Sequence, residues 1–173
     1  MQKYKRFMLW VMALYIFWII LLFSSQNAKE SSAESLSVIE KAVIFLEKLG
    51  FNTLTNIFNQ LIASQIFKIQ KLVRKLAHFF NFSVLGCLYT GLTGEYQKGK
   101  WILIKSITLG LIAAIIDETY QGFIPGRSAQ VTDVITDLSG VFTGAMFVLF
   151  FLNKDKKSNL FKCRTNPSRL HLL

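Results

Sequence analysis

Residues 117–133 read DETYQGFIPGRSAQVTD. The stretch carries Asp117, Glu118, Gln121, Arg127 and Asp133 around a Pro-Gly pair, yet LGLIAAII (109–116) leads into it and GVFTGAMFVLFFL (140–152) follows soon after. Polar groups set between two runs suited to lipid mark a place where the chain leaves one apolar helix, turns, and enters the next. Pro fixes the first corner of such a turn and Gly permits the positive φ of its second, so Ile124-Pro125-Gly126-Arg127 is predicted to form a type II turn. That turn would hold Arg127 over the helix ends.

Working outward, 52% of the 173 residues are hydrophobic and 14% aromatic, with a mean hydropathy of +0.40. This is too oily for a water-soluble core of this size. Four apolar runs, at about 7–23, 76–93, 100–117 and 133–152, approach the roughly 20 residues a helix needs to cross about 30 Å of hydrocarbon. The expected fold is therefore all-α, an integral membrane four-helix bundle formed by residues 1–152. The first run follows MQKYKR, but its apolar length and the lack of a small-x-small site after it favour an uncleaved span over a signal peptide.

Of 20 Lys and Arg, nine lie in residues 1–6 and 153–173. With four spans the termini share a side, and their basic residues place that side in the cytoplasm. The outer loop is then 24–75, and 153–173 is expected to be a poorly ordered basic tail containing His171. The net charge of +10 suits anionic lipid, and no nucleic-acid signature accompanies it. Cys87 in a span and Cys163 in the tail are too far apart to pair.

Within the outer loop, SSQNAKESSAES reads as a polar segment, and Ser37 with Glu40 has capping-box spacing. Leu36, Ile39, Val43, Leu46 and Leu49 then share a helical face opposite Glu40, Lys41, Glu47 and Lys48, and Gly50 is a stop signal. A second amphipathic pattern, from Leu54 through Ile57, Leu61 and Ile69 to Leu76, runs into the second span. Both are expected as interfacial helices on the outer leaflet, with a small cap packing on itself as the alternative.

The topology brings the polar residues to one boundary. Arg74, His78 and Asn81 share a face, as do Asp117 with Gln121 and Asp133 with Asp137. Gly140 and Gly144 continue the Asp133/Asp137 face, and Gly110 and Ala114 lead up to Asp117, giving small faces for close helix contact. The candidate ligand-binding set is Arg74, Lys75, His78, Asp117, Glu118, Gln121, Arg127, Asp133 and Asp137, with Pro125 and Gly126 as the turn. Two Arg could clamp a phosphate or carboxylate. His78 with Asp117, Glu118 or Asp133 could carry acid–base chemistry. The same charges could also simply neutralise one another and pin the bundle ends. No paired-His spacing supports a metal, and no Ser nucleophile motif or phosphate-binding Gly loop is present, so no cofactor is expected and an enzyme is not favoured.

RKLAHF (74–79), FNFSVLG (80–86) and DETYQGFIPGRSAQVTDVITDLSGVFTG (117–144) resemble the VanZ-like family of bacterial membrane proteins, and FSSQ (23–26) with the Ser-rich segment after it is similar to Gram-positive members. The resemblance covers roughly 7–152. It implies a multi-pass protein with four membrane helices. It also implies a role in the cell envelope, the namesake being tied to resistance to teicoplanin, a lipid-tailed glycopeptide. The implied partners are membrane lipids and a lipoglycopeptide or cell-wall lipid precursor. The family's polar signature falls on Arg74, Lys75, His78, Asp117, Glu118, Gln121, Pro125, Gly126, Arg127 and Asp133. Two departures from it stand out: Asn81-Phe82 stands where many members have Glu-Tyr, and Asp137 where Asn is frequent.

Overall fold

The computed structural model describes residues 2–94 and 100–165, and the described residues form α-helices and no strands. In chain order these are α1 (Gln2–Ser24), α2 (Ala28–Lys48), α3 (Asn52–Gly94), α4 (Lys100–Gly122) and α5 (Val131–Thr165). Ser24, His78, Gln121 and Asp137 meet at one end, so α1, the second half of α3, α4 and the first half of α5 run alternately up and down, as short links between helices demand.

Among the described residues, two stretches are by length and composition long and apolar enough to cross a membrane: Lys3–Ser24 in α1 and Val131–Phe151 in α5. Sequence reading counted four. The second half of α3 is diluted by His78, Asn81, Thr90 and Thr93, and α4 carries Lys105, Asp117 and Glu118, so neither matches the apolar purity of the other two. Both apolar helices turn large side chains outward. Phe7, Trp10, Leu14 and Trp18 of α1 and Phe147, Phe150 and Phe151 of α5 are exposed, a display that water would penalise and lipid would not.

The core joins Ala13 and Ile20 of α1, Phe82, Leu85 and Leu88 of α3, Ala113 and Ala114 of α4, and Val141 of α5. The most extensive packing is between α3 and α5, where backbones touch. A Cβ on Gly140 would meet the carbonyl oxygen of Phe79, and one on Gly86 that of Val141. The Cys87 thiol donates to the Gly144 carbonyl at 3.3 Å. At the bundle's other end, Thr90 donates to the buried Ser106 hydroxyl at 3.1 Å and ties α3 to α4.

The outer segment differs from expectation. Helix α2 begins at Ala28 rather than near Ser37, because Asn27 and Glu30 form the capping box: the Asn27 side chain accepts from the Glu30 N–H at 2.9 Å and Glu30 accepts from the Asn27 N–H at 3.1 Å. The segment read as polar loop is thus mostly helix. Its predicted face is the one turned inward, with Ile39 buried and Leu36, Val43 and Leu46 half-buried against α3. Helix α3 is continuous from the second amphipathic segment into the bundle, bent at Gln65 (φ −137°, ψ 31°). The Ser64 hydroxyl bonds the Leu61 carbonyl just before the bend, a local competitor to the helix ladder. Helix α5 continues to Thr165, well into the segment read as a poorly ordered tail. The GEYQKGK turn lies largely outside the described residues, as do Arg169 and His171.

Gly50 ends α2 as expected. Its φ is +83°, its N–H donates to Glu47 at 2.9 Å, and the Phe51 N–H donates to Leu46 at 3.1 Å, the paired bonds of a Schellman cap. A Cβ there meets nothing within 4 Å, so Gly50→Ala isolates the backbone penalty. The expected loss is about 1–2 kcal/mol, read as a Tm lowered by a few degrees in detergent. An unchanged Tm would mean that α2 unfolds independently of the transition measured.

Candidate functional site

The Ile124–Arg127 turn forms as predicted: the Arg127 N–H donates to the Ile124 carbonyl at 3.1 Å and Gly126 has φ +79°. From it the Arg127 side chain reaches back to α1, where Nη1 donates to the Ser24 carbonyl at 3.2 Å. Burial pushes the Arg127 guanidinium below its ordinary value and the nearby Arg74 adds to this, while Asp117, Glu118 and Asp133 pull the other way. Guanidinium stays charged under these pressures.

The nine candidate residues do not form one network. Lys75 pairs with Asp133, joining α3 to the first turn of α5, where a carboxylate also suits the helix dipole. Glu118 accepts from the Gln130 N–H and so caps the start of α5. Gln121 donates to Asp117 Oδ2 at 2.8 Å and to the Ser24 hydroxyl at 3.2 Å. His78 sits between two buried acids, with Nδ1 3.5 Å from Asp117 Oδ2 and 3.7 Å from Asp137 Oδ1. Arg74 pairs with no acid among the described residues. The carboxylates at 133 and 137 share a helix face but not a task, since only the deeper one faces His78.

Two cavities adjoin this end. A small one is lined by Arg74, Lys75, His78, Gln121, Asp133, Thr136 and Asp137. A larger one, about 320 Å³, lies between the end of α1, α2 and α3. Its surface is mainly apolar, from Phe23, Val38, Val73, Ala77 and Phe80; Arg74, Arg127, His78 and Asn81 line it too, and Glu34 stands on the α2 wall with Gln26, Ser31 and Ser35. Sequence reading placed Arg74, His78 and Asn81 on one face, and all three line this cavity. It did not single out Ser24, the α1 residue that both Gln121 and Arg127 hold; the FSSQ segment was the available signal.

A family model described as VanZ/LLP1 matches residues 9–152. The chain belongs to the VanZ/LLP1 family. The match spans α1 to the apolar half of α5 and so takes in the whole polar end. Family membership and the two apolar helices together point to a membrane protein. No curated protein and no solved structure matches the chain.

Proposed function

We propose that this VanZ-like protein is a multi-pass protein of the bacterial cytoplasmic membrane, with both termini inside, that binds an anionic amphiphile at the outer face. The role would be lipoglycopeptide (teicoplanin) resistance or envelope homeostasis. The observation that carries this reading is the apolar cavity with two guanidinium groups on its wall, Arg74 and Arg127. An acyl or aryl segment would sit against Phe23, Val73 and Phe80, and a phosphate or carboxylate would take the Arg74 fork, which no acid neutralises among the described residues. At about 320 Å³ the cavity is at the small end for a ligand site, so it takes a head group or one chain segment while the rest of the ligand stays in lipid or water.

Arg74→Ala tests the reading with little structural cost, because Arg74 ties no two helices together by an ion pair. In a sensitive Gram-positive host, the wild-type protein is expected to raise the inhibitory concentration of teicoplanin and not of vancomycin, and Arg74→Ala at equal membrane abundance to remove most of that protection. Reconstituted protein should bind dansylated teicoplanin or an undecaprenyl phosphate vesicle saturably, with affinity falling roughly tenfold in the variant, the equivalent of about 1.4 kcal/mol. Unaltered binding in Arg74→Ala would remove the anion clamp from the proposal.

One observation favours a second reading, an enzyme acting on a lipid-linked phosphate or ester. His78 lines the cavity and lies between Asp117 and Asp137, the arrangement of an oriented general base. Overexpression should then change the envelope lipid profile in wild type but not in His78→Ala. Identical profiles would leave binding alone.

A further inference from the structure

Among the described residues, Asp137 is only 1% exposed and neither of its carboxylate oxygens has a hydrogen-bond partner; Asp117 is 0% exposed and its Oδ1 is likewise unpartnered. Among the described residues the pair's donors all go to Asp117: Gln121 holds its Oδ2 at 2.8 Å and the Ser24 hydroxyl also bonds it. Two buried carboxylates this poorly satisfied repel each other and lack the donors that would keep them as anions. His78 faces both, and one donor atom from each of the three residues lies within 4.8 Å of the others. The three come from α3, α4 and α5, so the bundle itself builds the set.

We propose that His78, Asp117 and Asp137 hold a divalent first-row transition-metal ion, Zn²⁺ or Mn²⁺, at the floor of the polar end. An ion bound to nitrogen and oxygen ligands at about 2.0–2.2 Å places tetrahedral donors roughly 3.3–3.6 Å apart. The observed separations from His78 Nδ1, 3.5 and 3.7 Å, approach that edge without moving a helix. One imidazole with two carboxylates is a donor set that Zn²⁺ and Mn²⁺ both accept. A dication also balances the two acids while the imidazole stays neutral. Supporting contacts orient the ligands: Gln121 holds Asp117, and the His78 ring stacks on Phe82 at 6.5 Å between centroids and 19° between planes. With three protein ligands, a fourth position is left toward the small cavity that Arg74 also lines, where an anion could reach the metal.

Sequence spacing could not show this set, since its members lie on three helices with no paired His. The test uses the full chain in detergent or nanodiscs, stripped with chelator, equilibrated with Zn²⁺ or Mn²⁺ and desalted. Elemental analysis is expected to find about one ion per chain in wild type and in Glu47→Gln, an exposed acid of α2 outside the set. Asp137→Asn and His78→Ala, checked for monodispersity, should fall to background or bind at least tenfold more weakly. Co²⁺-loaded wild type should show the visible absorption bands of a low-coordinate site, a readout that needs no variant. Background content of both metals in folded wild type, or full retention in Asp137→Asn, overturns the proposal in favour of two acids sharing protons.

Discussion

Gly144→Val is expected to leave almost no folded protein in the membrane. A Cβ at Gly144 would meet the Ser83 carbonyl oxygen, with the Ser83 carbonyl carbon 2.8 Å and the Cys87 nitrogen 3.0 Å away. All three are backbone atoms of α3, so no side chain can swing aside and the helices must separate. Separation opens the most extensive helix contact of the fold and loosens Phe82, Leu85 and Val141, each fully buried. Overpacking of a well-packed core typically costs about 1–3 kcal/mol. A branched side chain against rigid backbone belongs at or beyond the top of that range, a large share of the roughly 5–15 kcal/mol that holds a native protein together. Gly91→Ala is the control, because a Cβ there makes only an ordinary contact at 3.7 Å with Leu9 Cδ1, and replacing a mid-helix Gly by Ala is worth up to about 1 kcal/mol. Fluorescence-detected size exclusion of tagged protein compares the two directly. Equal monodisperse yields for Gly144→Val and Gly91→Ala would mean that α3 and α5 do not pack this closely.

The second large effect is functional. Arg127→Ala should abolish the proposed protection against teicoplanin and weaken binding of the anionic amphiphile about ten- to a hundredfold. A hydrogen bond to a charged group is worth about 1.5–3 kcal/mol, and that range converts to this loss. Arg127 has two duties: Nη1 holds the Ser24 carbonyl, and the guanidinium lines the cavity with its Nε buried and unpartnered among the described residues. Arg127→Lys separates them, because Lys keeps the charge but loses the planar fork. Intermediate binding at wild-type abundance assigns the role to bidentate anion capture. Normal binding with reduced abundance in Arg127→Ala would make the residue a strut between the turn and α1, and the amphiphile reading would then rest on Arg74 alone.

Much of this end of the bundle was legible in the residues, for local reasons. The Ile124–Arg127 turn needs only Pro and Gly in order. The Gly50 stop and the inward face of α2 follow from helix periodicity and cap chemistry. The start of α2 was misplaced because Asn27/Glu30 and Ser37/Glu40 offer the same spacing, and the earlier pair is the one used. The segment between was polar, and polarity alone does not distinguish a loop from a helix whose serines pack inward: Ser31 and Ser35 are buried, and the Ser35 hydroxyl bonds the Ser31 carbonyl.

The sequence by itself determined that the chain is helical and apolar, that its charges gather at one helix end around a rigid turn, and that it belongs with VanZ-like proteins. These depend on neighbours within about one helical turn, or on a pattern of residue types along the chain. Tertiary structure alone decided how the charges are divided. Lys75 took Asp133, Glu118 took the start of α5, Ser24 received Arg127 and Gln121, and His78 was left between Asp117 and Asp137. Periodicity fixes which residues share a face but not which faces meet. That choice is made where Gly86, Gly140 and Gly144 let α3 and α5 touch backbone to backbone, setting the depth at which one carboxylate of α5 reaches half-buried Lys75 and the next reaches His78, one turn deeper.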